Sequence, residues 1–457
     1  MDKNYETNKM GTMPVNRLLL SMGIPMILSM ILQAVYNIAD SYFVSQILSP
    51  EEPLMGDYAV NALTLAFPVQ ILMISIGVGT GIGVNAVLSR SLGENNREKA
   101  AKVCGNAIFA GLVVFAFFFL FGRTCTELYL KTQTEIGLIS QMADDYLRVC
   151  TGFSFGAVLF MIYEKLLQAT GKTTQSMIIQ VSGALLNIAI DPVFIFGYGP
   201  VPELGVKGAA YATVISQIFS MSLGIYFHKK YNSREFNTSL KYIKPDMQIL
   251  KEIYHVGLPA VIMQALSSVM TYGVNIFLGM VSVDAVTSYG ILYKIQQFVF
   301  FTASGMNNAL IPVLAFNFGK KDSRRLKETI SWGMKYTLMF MAAGILIINL
   351  SIESFIDLFN VSPHVKMLSV LAVRTGTAAY LFTGMNLIYQ GILQALGKGY
   401  RALLIAAVRM ILVVFVLLYL FTFLPAAETF LWVTFPLAEG AGLIVSLIFI
   451  KSIEKEL

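Results

Sequence analysis

The chain has 457 residues, 56% apolar and 13% charged, with a formal net charge of +6. A soluble protein carries about 25% charged and about 45–50% apolar residues, so a soluble globular domain, a disordered chain and a disulfide scaffold are excluded. Twelve bilayer crossings of roughly 20 residues would use about 240, which this length accommodates with short loops.

The apolar runs predict twelve helices, at 17–46, 58–86, 100–122, 140–166, 175–198, 205–228, 251–280, 285–312, 328–350, 366–392, 400–424 and 429–450. The runs do not alternate, which argues against a membrane barrel. Backbone groups in lipid must be paired within each segment, so helices remain. Residues 1–16 are polar, and the run from Leu18 is too long for the core of a cleavable signal. The positive charge sits between the spans rather than in a nucleic-acid-binding patch. Alternate ends hold Lys3, Lys9 and Arg17; Arg90, Arg97, Lys99 and Lys102; Lys165 and Lys172; Lys229, Lys230, Arg234, Lys241, Lys244 and Lys251; Lys320, Lys321, Arg324, Arg325 and Lys327; Lys398 and Arg401; and Lys451 and Lys455. The opposite loops hold Arg123, Lys131, Lys207 and Lys366. The positive-inside rule then predicts that both termini are cytoplasmic.

The chain also repeats itself. Leu166-Leu167-Gln168-Ala169-Thr170-Gly171-Lys172 returns as Ile392-Leu393-Gln394-Ala395-Leu396-Gly397-Lys398, a shift of 226 residues. The same shift pairs Ala59 with Ala285, Gln70 with Gln296, Gly93 with Gly319, Arg148 with Arg374 and Tyr163 with Tyr389. Gly23-Ile24-Pro25 returns as Gly257-Leu258-Pro259, with the extra residues of the second interval placed near Leu48–Met55. Two six-helix repeats that enter from the same side are parallel repeats, an arrangement of secondary transporters. The expected division is an N-lobe over 1–228, a linker over 229–250 and a C-lobe over 251–457.

Charges at bilayer depth are costly and default to functional hypotheses. Gln33, Tyr36, Asn37 and Asp40 form a polar stripe at helical spacing on the first helix. Asp191 lies in the fifth, with Asn187 one turn earlier and Pro192 next to it. Pro192 removes a donor and crowds the carbonyl of Ile188, so a bend is expected there; Pro25 offers another on the first helix. Thr213, Ser216, Gln217 and Ser220 make a polar face on the sixth. The second repeat has Val274, Val413 and Leu417 where the first has Asp40, Asn187 and Asp191, so the acids are not duplicated. Two neighbouring acids away from water can hold a proton, and the same oxygens suit Na⁺; the bland alternative is that they join helices by hydrogen bonds. Gln70, Gln264, Tyr272, Lys294 and Gln296, with Gln33 and Asn37, are candidates for lining a cargo cavity. Arg148 and Arg374 read as snorkelling or capping residues, and Arg409 and Glu439 as a potential pair.

Apparent catalytic signals do not survive their context. Gly152-Phe153-Ser154-Phe155-Gly156 fits G-x-S-x-G, but it falls in a predicted helix and the histidines, His228, His255 and His364, sit at span ends. Gly77, Gly79, Gly81 and Gly83 suggest close helix packing. Gly171-Lys172-Thr173 lacks the first glycine of a phosphate loop. Cys104, Cys125 and Cys150 match no zinc spacing and read as ordinary membrane residues.

The chain resembles the multidrug and toxic-compound extrusion (MATE) transporters, in a bacterial branch. The resemblance rests on Gly23-Ile24-Pro25 and Asp40, Arg90-Ser91-Leu92-Gly93, Leu167-Gln168-Ala169 with Gly171-Lys172, Leu186-Asn187 with Asp191-Pro192, and Gly208-Ala209-Ala210 with Ala212-Thr213. It implies an all-α integral membrane protein of twelve transmembrane helices in two pseudo-symmetric six-helix lobes. It implies export of lipophilic, often cationic, compounds in exchange for H⁺ or Na⁺. It also implies an ion site at Tyr36, Asp40, Asn187, Asp191 and Thr213. Expected with it are a bacterial plasma-membrane location, a functional monomer, no enzymatic activity, no cofactor, no nucleic acid, and no metal beyond Na⁺. A lipid-linked oligosaccharide flippase of similar architecture is the alternative.

Overall fold

The structure, a computed structural model, describes residues 8–47, 54–357, 359 and 361–453, and leaves the side chain of Asn37 undescribed. The insertion expected near Leu48–Met55 lies largely outside these residues. The helices, in order, are α1 (Val15–Ser45), α2 (Met55–Gly93), α3 (Arg97–Thr124), α4 (Thr126–Lys131), α5 (Gly137–Gly152), α6 (Ser154–Ala169), α7 (Thr173–Phe196), α8 (Val206–Tyr231) and α9 (Met247–Val281). They continue with α10 (Val283–Gly319), α11 (Ser323–Asp357), α12 (Pro363–Thr377), α13 (Tyr380–Ala395), α14 (Gly399–Ala407), α15 (Val413–Thr422), α16 (Ala427–Phe430) and α17 (Thr434–Ile453). Among the described residues ten helices are long and apolar enough to cross a membrane; α5–α6 and α12–α13, each bent at a short break, bring the crossings to twelve. Large apolar side chains face outward along them, among them Leu120, Ile347, Leu350, Leu412 and Ile444, as a lipid-facing surface requires.

Most expected helices start earlier and end later than their apolar runs, because polar caps extend them past the hydrophobic stretch. Asn96 Oδ1 accepts from the Lys99 amide at 2.9 Å, and Asp322 Oδ1 accepts from that of Arg325 at 3.1 Å. Each satisfies a donor that the first helical turn leaves free.

The 226-residue repeat is carried down to the backbone. Gly171 and Gly397 both have φ +77°, and Asn95 and Lys321 have φ 56° and 58°. The left-handed glycine lets Lys172 donate to Leu167 O at 2.8 Å and Lys398 to Leu393 O at 2.7 Å, closing each helix end. The broken spans match as well, bent by 50° between α5 and α6 and by 47° between α12 and α13. Pro25 and Pro192, by contrast, sit inside single continuous helices. At the first break Thr151 Oγ1 donates to Leu147 O and Ser154 Oγ to Thr151 O. At the second Thr377 Oγ1 donates to Arg374 O, while Ala378 and Ala379 make tightened three-residue turns. Hydroxyl back-bonding of this kind bends membrane helices without proline. The Ser of the G-x-S-x-G pattern is therefore a buried residue of a helix break, not a nucleophile inside one helix.

The chain divides by packing into two units. Unit 1 holds Met1–Asn8 and Leu28–Gly257; unit 2 holds Lys9–Ile27 and Leu258–Leu457. The core of unit 1 includes Ala59, Ala62, Ala66, Phe118, Leu147 and Ala157. That of unit 2 includes Leu292, Ala303, Met341, Tyr380, Leu418 and Trp432. Both α1 and α9 change unit within three residues of their proline, Pro25 or Pro259. Within unit 2, Ile27 lies against Gly305, and Gly23 against Met306. Within unit 1, the glycine face of α2 does what its composition suggests. Gly81 admits the stem of Lys165 from α6, and Gly83 admits the backbone of Ile253 and Gly257 from α9.

A methyl group on Gly83 would lie 2.1 Å from the Ile253 carbonyl oxygen, whereas one on Gly440 would meet nothing within 4 Å. Gly83→Ala should therefore destabilise by about 1–3 kcal/mol through overpacking, while Gly440→Ala should be neutral or stabilising by up to about 1 kcal/mol. Thermal unfolding of the two purified variants in detergent measures this difference, and equal midpoints would refute the close approach.

Candidate functional site

Three helices of unit 1 bring the predicted acids together. Tyr36 and Asp40 are one turn apart on α1, Asn187 and Asp191 one turn apart on α7, and Thr213 lies on α8. Asp191 is fully buried, with Asn187 and Thr213 nearly so. Asn187 Nδ2 donates to Asp191 Oδ1 at 3.1 Å. The carboxyl groups of Asp40 and Asp191 face each other, and the Tyr36 phenol faces Thr213 and lies within electrostatic reach of both acids. The five residues thus form one cluster.

Its chemistry follows from what is left over. Asp40 Oδ1, Asp191 Oδ2, Asn187 Oδ1 and Thr213 Oγ1 are buried without a satisfactory hydrogen-bond partner. Unsatisfied oxygens in an apolar bundle are expensive. Two carboxyls without a basic residue in the cluster attract positive charge. A proton shared between the acids would relieve their repulsion. A hard cation takes oxygen ligands, and these four oxygens are of that type. Among the described residues no three His, Cys, Asp or Glu side chains gather as metal ligands.

The polar surroundings extend further than the sequence reading. Gln70 Nε2, on α2, donates to the Tyr146 hydroxyl at 3.0 Å and approaches Cys150 Sγ at 3.9 Å, both on α5. Tyr146 and Cys150 in turn lie within electrostatic reach of Asp40. Gln70 therefore belongs to the border of the acid cluster. Neither Tyr146 nor Cys150 breaks the apolar pattern of its helix, so only packing reveals them.

The other cavity candidates fall in both units. In unit 1, Gln33 is exposed and accepts from Gln180 Nε2 at 2.8 Å; the side chain of Asn37 lies outside the described residues. In unit 2, Gln264 and Tyr272 are exposed, Gln296 is half-buried, and Lys294 lies over the Phe359 ring at 5.4 Å. Arg148 pairs with Asp144 one turn away at the surface, in keeping with a capping role. Arg409 and Glu439 do pair, at 3.2 Å, deep in unit 2.

The MatE family model matches residues 25–193 and 259–420, one stretch in each repeat. The chain is 28% identical over 385 residues to the multidrug export protein MepA of Staphylococcus haemolyticus, covering 84% of this chain and 82% of that protein. It is 26% identical over 410 residues to MepA of Staphylococcus aureus strain MRSA252, covering 88% and 87%. Among solved structures, an outward-facing multidrug resistance MATE family transporter superposes with a TM-score of 0.91 at 23% identity, over 99% of this chain and all of that one. A MOP superfamily transporter from Pyrococcus furiosus, described as having a binding pocket of reverse polarity, superposes at 0.87 and 23% identity, over 98% of this chain and all of that one. With two six-helix repeats, a buried acid cluster and a family model spanning both halves, this chain belongs to the MATE family of membrane transporters.

Proposed function

We propose that the protein is a secondary antiporter that exports lipophilic, often cationic, organic compounds across the bacterial plasma membrane in exchange for H⁺ or Na⁺. The cluster of unpartnered oxygens around Asp40 and Asp191 carries this reading, because it gives a bound cation a reason to alter the energy of unit 1. The cargo class rests on the relatives named as multidrug export proteins. The excess of Lys and Arg at alternate helix ends supports cytoplasmic termini, and one chain contains both repeats, so a monomer suffices.

In the proposed cycle a cation entering from outside neutralises Asp40 and Asp191. The α1 segment beyond Pro25 then changes its packing, the cargo cavity loses affinity, and the cargo leaves outward by alternating access between the two units. Gln33, Asn37, Gln70, Gln264, Tyr272, Lys294 and Gln296 are the proposed cavity residues. Coupling requires that ion and cargo each favour a different state.

Reconstituted vesicles test the scheme. Asp40→Asn and Asp191→Asn should each lower gradient-driven efflux of a fluorescent organic cation by about 5- to 150-fold, the span of a typical coupling energy. Efflux that survives both substitutions would refute the coupling site.

A second experiment addresses the driving ion and the cargo. Imposed pH and Na⁺ gradients, applied separately, should each be scored for dye movement, and at least one should drive it against its concentration gradient. Transport of a lipid-linked oligosaccharide with no dye movement under either gradient would instead establish the flippase alternative.

A further inference from the structure

The second polar centre at membrane depth lies in unit 2, and it is built differently from the first. Glu439 on α17 pairs with Arg409 through Oε1 and Nη2 at 3.2 Å, with both side chains largely buried. Asn386 on α13 donates from Nδ2 to Glu439 Oε2 at 2.9 Å and to the Glu439 carbonyl at 2.9 Å. Ser446 Oγ donates to Asn386 Oδ1 at 2.9 Å, fixing that amide. Arg409 sits in a π-helical stretch, Val408–Leu412, between α14 and α15. Such single-turn bulges re-aim one side chain and recur at functional positions. A methyl group on Gly442 of α17 would stand 2.9 Å from Arg409 Cβ, so the helices leave room for the guanidinium stem only because that residue is glycine.

The centre is in register with the acid cluster of unit 1. The 226-residue shift carries Thr213 onto Glu439, Ser220 onto Ser446 and Gly183 onto Arg409. Arg409 therefore stands one turn from Val413, the counterpart of Asn187. Unit 1 has two carboxyls and no base in its cluster; unit 2 has one carboxyl and one guanidinium. A carboxylate in an apolar bundle needs a positive neighbour, and a guanidinium cannot give up its proton in a protein.

We propose that Arg409 is a tethered counter-cation, which occupies at Glu439 the place that a diffusible H⁺ or Na⁺ takes at Asp40 and Asp191, and so confines ion coupling to unit 1. Two details support charge rather than bracing as its role. A bracing arginine spends its donors on carbonyls, yet Arg409 Nε and Nη1 are buried without an acceptor. The residues facing the pair, Asn386, Ser446 and Gly442, do not titrate, so Arg409 supplies the local positive charge. With Arg409 removed, Glu439 Oε1 and Oε2 would be left as cation-seeking oxygens.

The inference rests on the cation-coupled reading of unit 1, and the test separates the two. Thermal unfolding midpoints are measured for the full chain in detergent, between about pH 5.5 and about pH 8 and over roughly a hundredfold range of Na⁺. The wild-type midpoint should respond to the ions, and Glu439→Gln alone should leave that response intact. Asp40→Asn with Asp191→Asn should abolish it. Adding Arg409→Met to those two changes should restore an ion response, the midpoint rising by about 2–5 °C with acid or Na⁺. Adding Glu439→Gln as well should remove it again, and Arg409→Lys should behave as its parent.

An unresponsive Arg409→Met variant would overturn the proposal, as would loss of the wild-type response on Glu439→Gln alone. If Arg409→Met folds under none of the conditions while Arg409→Met/Glu439→Gln does fold, no external cation can replace the guanidinium and the proposal also fails. A wild-type midpoint indifferent to both ions would instead count against the coupling site of unit 1, with the Arg409→Met comparison still readable.

Discussion

A carboxylate inside a bilayer cannot stand without a positive partner, and this constraint organises the polar interior of the protein. The low dielectric that makes an isolated charge costly also makes its attraction for a counter-charge strong. Unit 1 holds buried oxygens of Asp40, Asp191, Asn187 and Thr213 that have no hydrogen-bond partner. Unit 2 meets the constraint with a residue of its own, the Arg409 that pairs with Glu439. The first centre has acids with no basic side chain in the cluster, and the second pairs its acid within the chain.

The two solutions are set on one scaffold. The left-handed residues at Gly171 and Gly397, and at Asn95 and Lys321, fall at equivalent places. So do the capping residues Asn96 and Asp322 and the two helix breaks. Backbone devices fix where each helix ends and turns, and these positions depend on few side chains. The membrane-depth side chains are free to differ because replacing a valine by an aspartate leaves the helix path intact. The two repeats share backbone geometry and differ in the charge they hold at membrane depth.

Much of this was legible in the residues. Twelve crossings follow from the length of the apolar runs, and the repeat from LQA-x-GK together with the further matches at the same 226-residue shift. The acids of Asp40 and Asp191 stand out because such residues are rare at that depth. The breaks at Phe153 and at Ala378–Ala379 were not legible, because hydroxyl back-bonding leaves no mark as plain as a proline. The π turn at Arg409 has no sequence signature either. Tyr146 and Cys150 join the acid cluster through packing of α5 against its neighbours, which no periodicity encodes. The exchange of α1 and α9 between units at their prolines is a tertiary choice of the same sort.

That exchange bears on how the polypeptide matures. Unit 2 incorporates Lys9–Ile27, which leave the ribosome before any other part of that unit, and unit 1 needs Met247–Gly257, which emerge after its other helices. The usual order, in which an amino-terminal domain finishes before its successor begins, is unavailable here. The opening stretch must wait in the bilayer for helices not yet translated, and severing the polypeptide between α8 and α9 would leave each fragment missing a piece held by the other.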